Sequence, residues 1–143
     1  MLEIGNKAPN FNLESTKGAI DLEIIKDKVL LIFYPRDNTP GCTRQLCAAQ
    51  DVLAQYENLG VTVIAINYDS LDSHQRFAEK YGYNYPICRD EGKQVAKLYE
   101  AATSEGKIIR TVYIIDENKV IRYAKQGLPP TEELLEEIIA MQN

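Results

Sequence analysis

Val29-Leu30-Leu31-Ile32-Phe33-Tyr34-Pro35-Arg36-Asp37-Asn38-Thr39-Pro40-Gly41-Cys42-Thr43-Arg44-Gln45-Leu46-Cys47 is an apolar run that halts at a proline and reopens as a helix start. Its first six residues are β-branched, aromatic and aliphatic without alternation, the pattern of a strand covered on both faces. Val61 to Asn67 repeats that pattern, so both strands belong at the centre of a sheet. Thr39 is a natural N-cap, and Pro40 fits the first helical turn, where a missing N–H costs nothing. From about Thr39 the sequence reads as one helix to Asn58, with Cys42, Leu46, Ala49, Leu53 and Tyr56 on a single apolar stripe.

Working outward, Phe11 and Leu13, then Ile20 and Leu22, alternate across the turn residues Ser15 to Gly18 and predict an N-terminal hairpin. Thr111 to Ile115 and Val120 to Lys125 flank the polar cluster Asp116 to Lys119 and predict a second hairpin in the same sheet. Leu71 to Tyr81 and Glu91 to Glu100 read as shorter helices. Pro129-Pro130-Thr131-Glu132-Glu133 before Leu134, Leu135, Ile138 and Ile139 supplies an N-cap candidate, acids for the first turn and an apolar face for a last helix. Strands alternating with helices, with hairpins at both ends, give an α/β layer structure: a mixed central sheet flanked by helices. Sites in such sheets gather beyond the carboxyl ends of the central strands, which is where Pro35 to Cys42 falls.

The 143 residues suit one domain, 1–143, with a single core. A hydrophobic fraction of 45% with 26% charged residues is that of a folded globular chain. The net charge of -5 repels phosphate backbones and anionic lipid, which argues against nucleic acid and membrane surfaces as partners. The longest apolar run, Val29 to Tyr34, falls far short of the roughly 20 residues a membrane span needs. Met1 to Asn6 carries no basic, then apolar, leader pattern, and a cytoplasmic location is the expectation. In that setting three cysteines are reactive, metal-binding or buried rather than a disulfide framework.

Cys42 is the candidate for chemistry. A thiol is a nucleophile as its thiolate, which a helix N-terminus and a nearby cation both favour. Arg36, Arg44 and Arg110 are the candidate cations, and spacing does not choose among them. Gly41 would let a small substrate approach the backbone N–H groups. Cys47 lies five residues on, which is not the C-x-x-C spacing of a dithiol oxidoreductase. On an intact helix, residues five apart are turned by about 140° and separated by roughly 8 to 9 Å at Cα. That exceeds the roughly 7 Å limit for a disulfide, so joining Cys42 to Cys47 would require local unwinding. Cys88 reads as core filler, and His74, in line with Phe77, Ala78 and Tyr81, as a packing or edge residue. Zinc held by Cys42, Cys47, Cys88 and His74 is the weaker reading, because the second short-spaced pair is missing. The Glu132-Glu133 and Glu136-Glu137 pairs read as the solvated face of the last helix, and the nine tyrosines as packing.

The stretch Phe33 to Cys47 closely resembles the active-site segment of peroxiredoxins, and within them the Q type, also called bacterioferritin comigratory proteins. The pattern P-x-x-x-T-x-x-C stands at Pro35, Thr39 and Cys42. Ala8-Pro9-x-Phe11-x-Leu13, Phe77 to Tyr81 before Tyr85-Pro86-Ile87, Asp90, and Arg110-Thr111 leading into Val112 to Asp116 extend the likeness over nearly the whole chain. The resemblance implies a thioredoxin-like fold, no metal or organic cofactor, and reduction of hydrogen peroxide or organic hydroperoxides. By position Cys42 would be the peroxidatic cysteine and Cys47 the resolving one, with Pro35, Thr39 and Arg110 completing the site. Thr39 would hydrogen-bond the peroxide and thiolate, Arg110 would favour the thiolate and polarise the O–O bond, and Pro35 would keep bulk water away. Cys42 would become a sulfenic acid, Cys47 would condense with it, and a thioredoxin or similar dithiol would reduce the disulfide.

Two features depart from the family pattern. Ala48, Ala49 and Gln50 stand where Q-type proteins commonly carry an aromatic and an arginine, and Cys88 replaces a usual aliphatic. The rival readings are a one-cysteine peroxidase resolved by an outside thiol and a non-catalytic redox sensor that uses the same oxidation to change shape. A monomer or weak dimer is expected, since no coiled coil or large apolar patch is evident.

Overall fold

Apolar strands with no polar face must be covered from both sides, and the computed structural model shows how. Among the described residues, 1–142, seven strands form one mixed sheet. They are β1 (Asn12–Ser15), β2 (Gly18–Asp21), β3 (Lys28–Phe33), β4 (Val61–Asn67), β5 (Ile87–Arg89), β6 (Thr111–Ile115) and β7 (Ile121–Gln126), in the order β2-β1-β5-β4-β3-β6-β7. β3 runs parallel to β4 and antiparallel to β6, and every residue of β3 is buried. The two unalternating runs are thus neighbours at the centre.

Side chains of successive strand residues point to opposite faces. Leu30 and Ile32 of β3, Val63 of β4 and Val112 of β6 therefore enter one core layer, while Leu31, Phe33, Ile64 and Tyr113 enter the other. The first layer is closed by α1 (Pro40–Asp51), α2 (Leu53–Asn58), α3 (Leu71–Tyr81) and, after β7, α5 (Thr131–Ala140). The second is closed by α4 (Gln94–Leu98) and by Ala8, Phe11 and Leu22 from the N-terminal segment. The N-terminal hairpin joins the sheet where Ser15 of β1 pairs with Cys88 of β5.

Several expectations are corrected. The helix expected from Thr39 to Asn58 is two helices, broken at Val52, whose torsions (φ -119°, ψ 21°) are not helical. The buried stripe survives the break, with Cys42, Leu46 and Ala49 in α1 and Leu53 and Tyr56 in α2. The helix expected over Glu91 to Glu100 shrinks to a 3₁₀ turn, Glu91–Lys93, and the five residues of α4, because Gly92 and Lys93 take left-handed torsions. Asp90 instead holds the start of α4, its carboxylate accepting from the amides of Val95 and Ala96. Pro130 occupies the N-cap of α5 with no side-chain cap. No helix among the described residues is long and apolar enough to cross a membrane.

Candidate active site

β3 ends at Phe33, and Tyr34 still donates its amide to Ile66 at 3.4 Å, but Pro35 has no N–H and stops the ladder. The chain then makes a tight connection into α1. Asn38 takes a left-handed conformation (φ 57°), one that asparagine tolerates better than most residues. Thr39 occupies the N-cap position in extended conformation, yet its hydroxyl caps no amide: it donates to the Arg36 carbonyl at 3.2 Å. The first-turn amides of α1 are therefore uncapped by any side chain, and the helix opens its positive end toward Cys42.

Of the three arginines considered, Arg110 is the one beside the thiol. It directly precedes β6, and the antiparallel pairing of Thr111 with Phe33 brings it to the sheet edge where β3 delivers Pro35. Its Nη2 donates to Cys42 Sγ at 3.3 Å and its Nη1 to Gln45 Oε1 at 2.8 Å. One planar guanidinium thus spans two residues a helical turn apart, which a lysine ammonium cannot copy. Gly41 leaves room for this contact: a Cβ there would lie 3.3 Å from Nη2 and press on the guanidinium. Arg36 and Arg44 are exposed.

Cys42 itself is almost fully buried on the core stripe, while Pro35 and Thr39 are half-buried beside it. The hydrogen bond that Arg110 directs at this buried sulfur comes from a cationic donor, a kind roughly twice as strong as a neutral one. Cys47 is half-buried and packs against the same core as Cys42, so it is no bare surface thiol. Its Sγ is 3.3 Å from the Tyr83 hydroxyl, which donates to the Thr43 carbonyl at 3.3 Å. Both cysteines are free thiols on one continuous helix. Cys88 is fully enclosed, and burial first, with Asp90 adding to it, pushes its thiol up to about 12. Such a thiol is inert.

Beneath the connection lies a polar cluster that the sequence did not reveal. Asp37 turns inward, and its carboxylate accepts from Tyr34 Oη (2.5 Å) and Ser73 Oγ (2.7 Å) and lies 2.7 Å from His74 Nδ1. His74 Nε2 is 3.2 Å from the Asn67 carbonyl, so both ring nitrogens face acceptors. Burial works against the Asp37 charge, but the hydrogen bonds from His74 and Tyr34 outweigh it and hold the carboxyl below its ordinary range. His74 is thus a hydrogen-bonding partner of Asp37 in the core, not a packing or edge residue. Glu133 likewise departs from a purely solvated role, accepting from the Tyr123 hydroxyl and from Lys125 Nζ. Among the described residues no three His, Cys, Asp or Glu side chains gather to hold a metal ion.

Residues 4–124 match the family model described as the AhpC/TSA family. A protein of Coxiella burnetii named putative peroxiredoxin bcp is 37% identical over 129 residues, covering 84% of this chain and 85% of that one. The chloroplastic peroxiredoxin Q of Triticum aestivum is 35% identical over 144 residues, 97% of this chain and 66% of its own length. Among solved structures, PrxQ of Xylella fastidiosa, crystallised as a cysteine-to-serine mutant, superposes with a TM-score of 0.91 at 25% identity, covering 100% of this chain and 99% of the other. Peroxidoxin BcpB of Mycobacterium tuberculosis reaches a TM-score of 0.93 at 22% identity, covering 100% of both chains.

Proposed function

Since this chain belongs to the AhpC/TSA family and is a peroxiredoxin of thioredoxin-like fold, a thiol-dependent peroxidase, we propose that Cys42 is its peroxidatic cysteine and Cys47 its resolving cysteine. The observation that carries the first assignment is the Arg110 Nη2 contact to Cys42 Sγ at the uncapped start of α1. The sulfur attacks the terminal oxygen of the hydroperoxide as a thiolate. An S–O bond forms, the O–O bond breaks, and the departing oxide takes a proton to leave as water or an alcohol, with Cys42 oxidised to the sulfenic acid. Arg110 and the amides of Gly41 and Cys42 stabilise the charge that develops on the peroxide oxygens. Thr39, whose proton is engaged by the Arg36 carbonyl, offers its lone pairs to the hydroperoxide O–H. Pro35 covers the sulfur against bulk water.

Cys47 then displaces water from the sulfenic acid, and the Cys42–Cys47 disulfide forms within one chain. A thioredoxin or similar dithiol reduces it by exchange. Residues 1–143 act as one domain in this cycle, which needs no cofactor. A cytoplasmic setting, where thiols are kept reduced, suits the three free cysteines.

Mixing the reduced protein with equimolar hydrogen peroxide, then counting thiols and mapping peptides by mass, tests the reading. Loss of two thiols with a Cys42–Cys47 link is expected, and Cys47→Ser should still form the sulfenic acid while losing recycling by a dithiol protein. Recycling that survives in Cys47→Ser would make this a one-cysteine enzyme. Three unchanged thiols in the wild-type protein would overturn the assignment of Cys42.

A further inference from the structure

The Thr39 hydroxyl is oriented from inside the connection that carries it. It donates to the Arg36 carbonyl at 3.2 Å, which commits its proton and leaves its lone pairs for a hydroperoxide. The direction of that carbonyl belongs to the peptide unit that Arg36 shares with Asp37. A trans peptide is planar, with its C=O and N–H pointing opposite ways. The N–H at the far side of this unit, that of Asp37, donates to Asp69 Oδ2 at 2.8 Å. Asp69 and Thr39 thus bond to the two ends of one rigid plane, and fixing one end fixes the other.

The plane is held on both sides. Upstream, the Tyr34 carbonyl accepts from Asn67 Nδ2 at 2.7 Å, and Asn67 Oδ1 accepts from the Asp69 amide at 2.7 Å, so Asn67 and Asp69 form one brace. Asn67 is buried at the end of β4. Downstream, the Asp37 carboxylate accepts from Tyr34 Oη and Ser73 Oγ. Its third partner is His74 Nδ1, which must be the donor because a carboxylate has only lone pairs to offer. An apolar side chain in place of Asp37 would fill this buried point as well. What the carboxylate adds is direction, since a hydrogen bond weakens steeply as its angle departs from the straight line.

The residues that grip the connection from outside, Asn67, Asp69, Ser73 and His74, all come from the end of β4 and the start of α3. Neither element lends a side chain to the chemistry at Cys42 described above. Resting on the roles given there to Cys42 and Thr39, we propose that Asp69 and Asp37 are positioning residues for the peroxide reaction. Through the Arg36–Asp37 peptide they aim the Thr39 hydroxyl at a hydroperoxide bound at Cys42. They touch neither the sulfur nor the peroxide.

The test is the second-order rate of Cys42 oxidation by hydrogen peroxide in the reduced full-length protein, with melting temperatures to show that each variant folds. Asp69→Ala removes the acceptor at a half-buried position and should slow the reaction by about tenfold, less than the roughly 10² that a misplacement of about 1 Å can cost. Asp69→Asn keeps an oxygen for the Asp37 amide and should restore most of the rate. Ser73→Ala, also half-buried, loosens the other end of the plane and should slow the reaction several-fold. In a Thr39→Val background, Asp69→Ala and Ser73→Ala should slow it no further, because the group they aim is gone. Full oxidation rates in Asp69→Ala and Ser73→Ala would overturn the inference and leave the proposed function standing. So would slowing of the same size with and without the Thr39 hydroxyl, or Asp69→Asn as slow as Asp69→Ala. A Thr39→Val rate equal to wild type would overturn the role given to Thr39 and the inference with it. Wild-type protein left with three thiols would overturn the proposed function itself.

Discussion

At the scale of single residues, the site is organised by what one guanidinium can reach. Arg110 joins Cys42 to Gln45, and Gly41, which contributes no Cβ, leaves the narrow space beside Nη2 free. Arg110→Met keeps the bulk of the side-chain stem and removes both donated bonds. The rate of peroxide oxidation of Cys42 should then fall by about 10² to 10³, the cost of losing one charge-stabilising donor. Arg110→Lys should recover little of it, since an ammonium cannot serve two acceptors in one plane. Stopped-flow oxidation rates, with melting temperatures to show that both variants fold, check this. The closeness of Pro35, Thr39 and Cys42 was legible because they lie in one short stretch around a helix start. Arg110 could be chosen over Arg36 and Arg44 only through the family resemblance, and Gln45 was not singled out at all, because their contact is created by the antiparallel pairing of β6 with β3.

At the scale of elements, α1 is held shut from the side. The Tyr83 hydroxyl bridges the Thr43 carbonyl and Cys47 Sγ, and the Tyr85 hydroxyl donates to the Leu46 carbonyl at 2.6 Å. Tyr81, Tyr83 and Tyr85 stack in succession, with ring centroids 5.9 and 5.5 Å apart, so these bonds come from a rigid ladder. The first turns of α1 must unwind before Cys42 and Cys47 can join, and the ladder opposes it. Tyr83→Phe removes one bond from Thr43 and one from Cys47 while keeping the stacked ring, a change of about 1 kcal/mol. Closure of the disulfide after sulfenic acid formation should become roughly fivefold faster, with the first attack on peroxide unchanged. Timed acid quenching and thiol counting separate the two steps; equal closure rates would show that the ladder does not restrain the helix. Hydrophobic spacing displayed the stripe from Cys42 to Tyr56 but not the break at Val52, since a kink that leaves the buried face continuous leaves the apolar period intact. The tyrosine ladder was equally hidden: it depends on Gly82 turning the chain in left-handed conformation at the end of α3, which places Tyr83 and Tyr85 back against α1.

At the scale of the molecule, the two central strands, the connection before α1 and the start of α3 meet at Asp37. Tyr34 donates to it from the end of β3, Ser73 donates to it from α3, and His74 of α3 lies against both Asp37 and the Asn67 carbonyl at the end of β4. The layered core was legible because Leu30, Ile32 and their neighbours declare which strands are covered on both sides. The Asp37 cluster was not, because an aspartate in a polar connection and a lone histidine on a helix give no sign in sequence that they turn toward each other. Their pairing carries a pH dependence whose sign is fixed. The Asp37 carboxyl is held below its ordinary value of 3.8 in the folded protein, so the contribution of its charge to stability is fully present well above 3.8 and is lost as pH falls through that value toward the folded one. Asp37→Asn replaces the ionised acceptor shared by Tyr34, Ser73 and His74 with a neutral amide and should cost about 3 kcal/mol near neutral pH. Urea unfolding at pH 7, 5, 4 and 3 gives the difference between the two proteins directly. That difference should hold between pH 7 and 5 and shrink below about pH 4, where wild-type protein surrenders the charge that the variant never had. A difference that stayed constant down to pH 3 would mean that Asp37 holds these elements together by hydrogen bonding alone, with its charge contributing nothing to the fold.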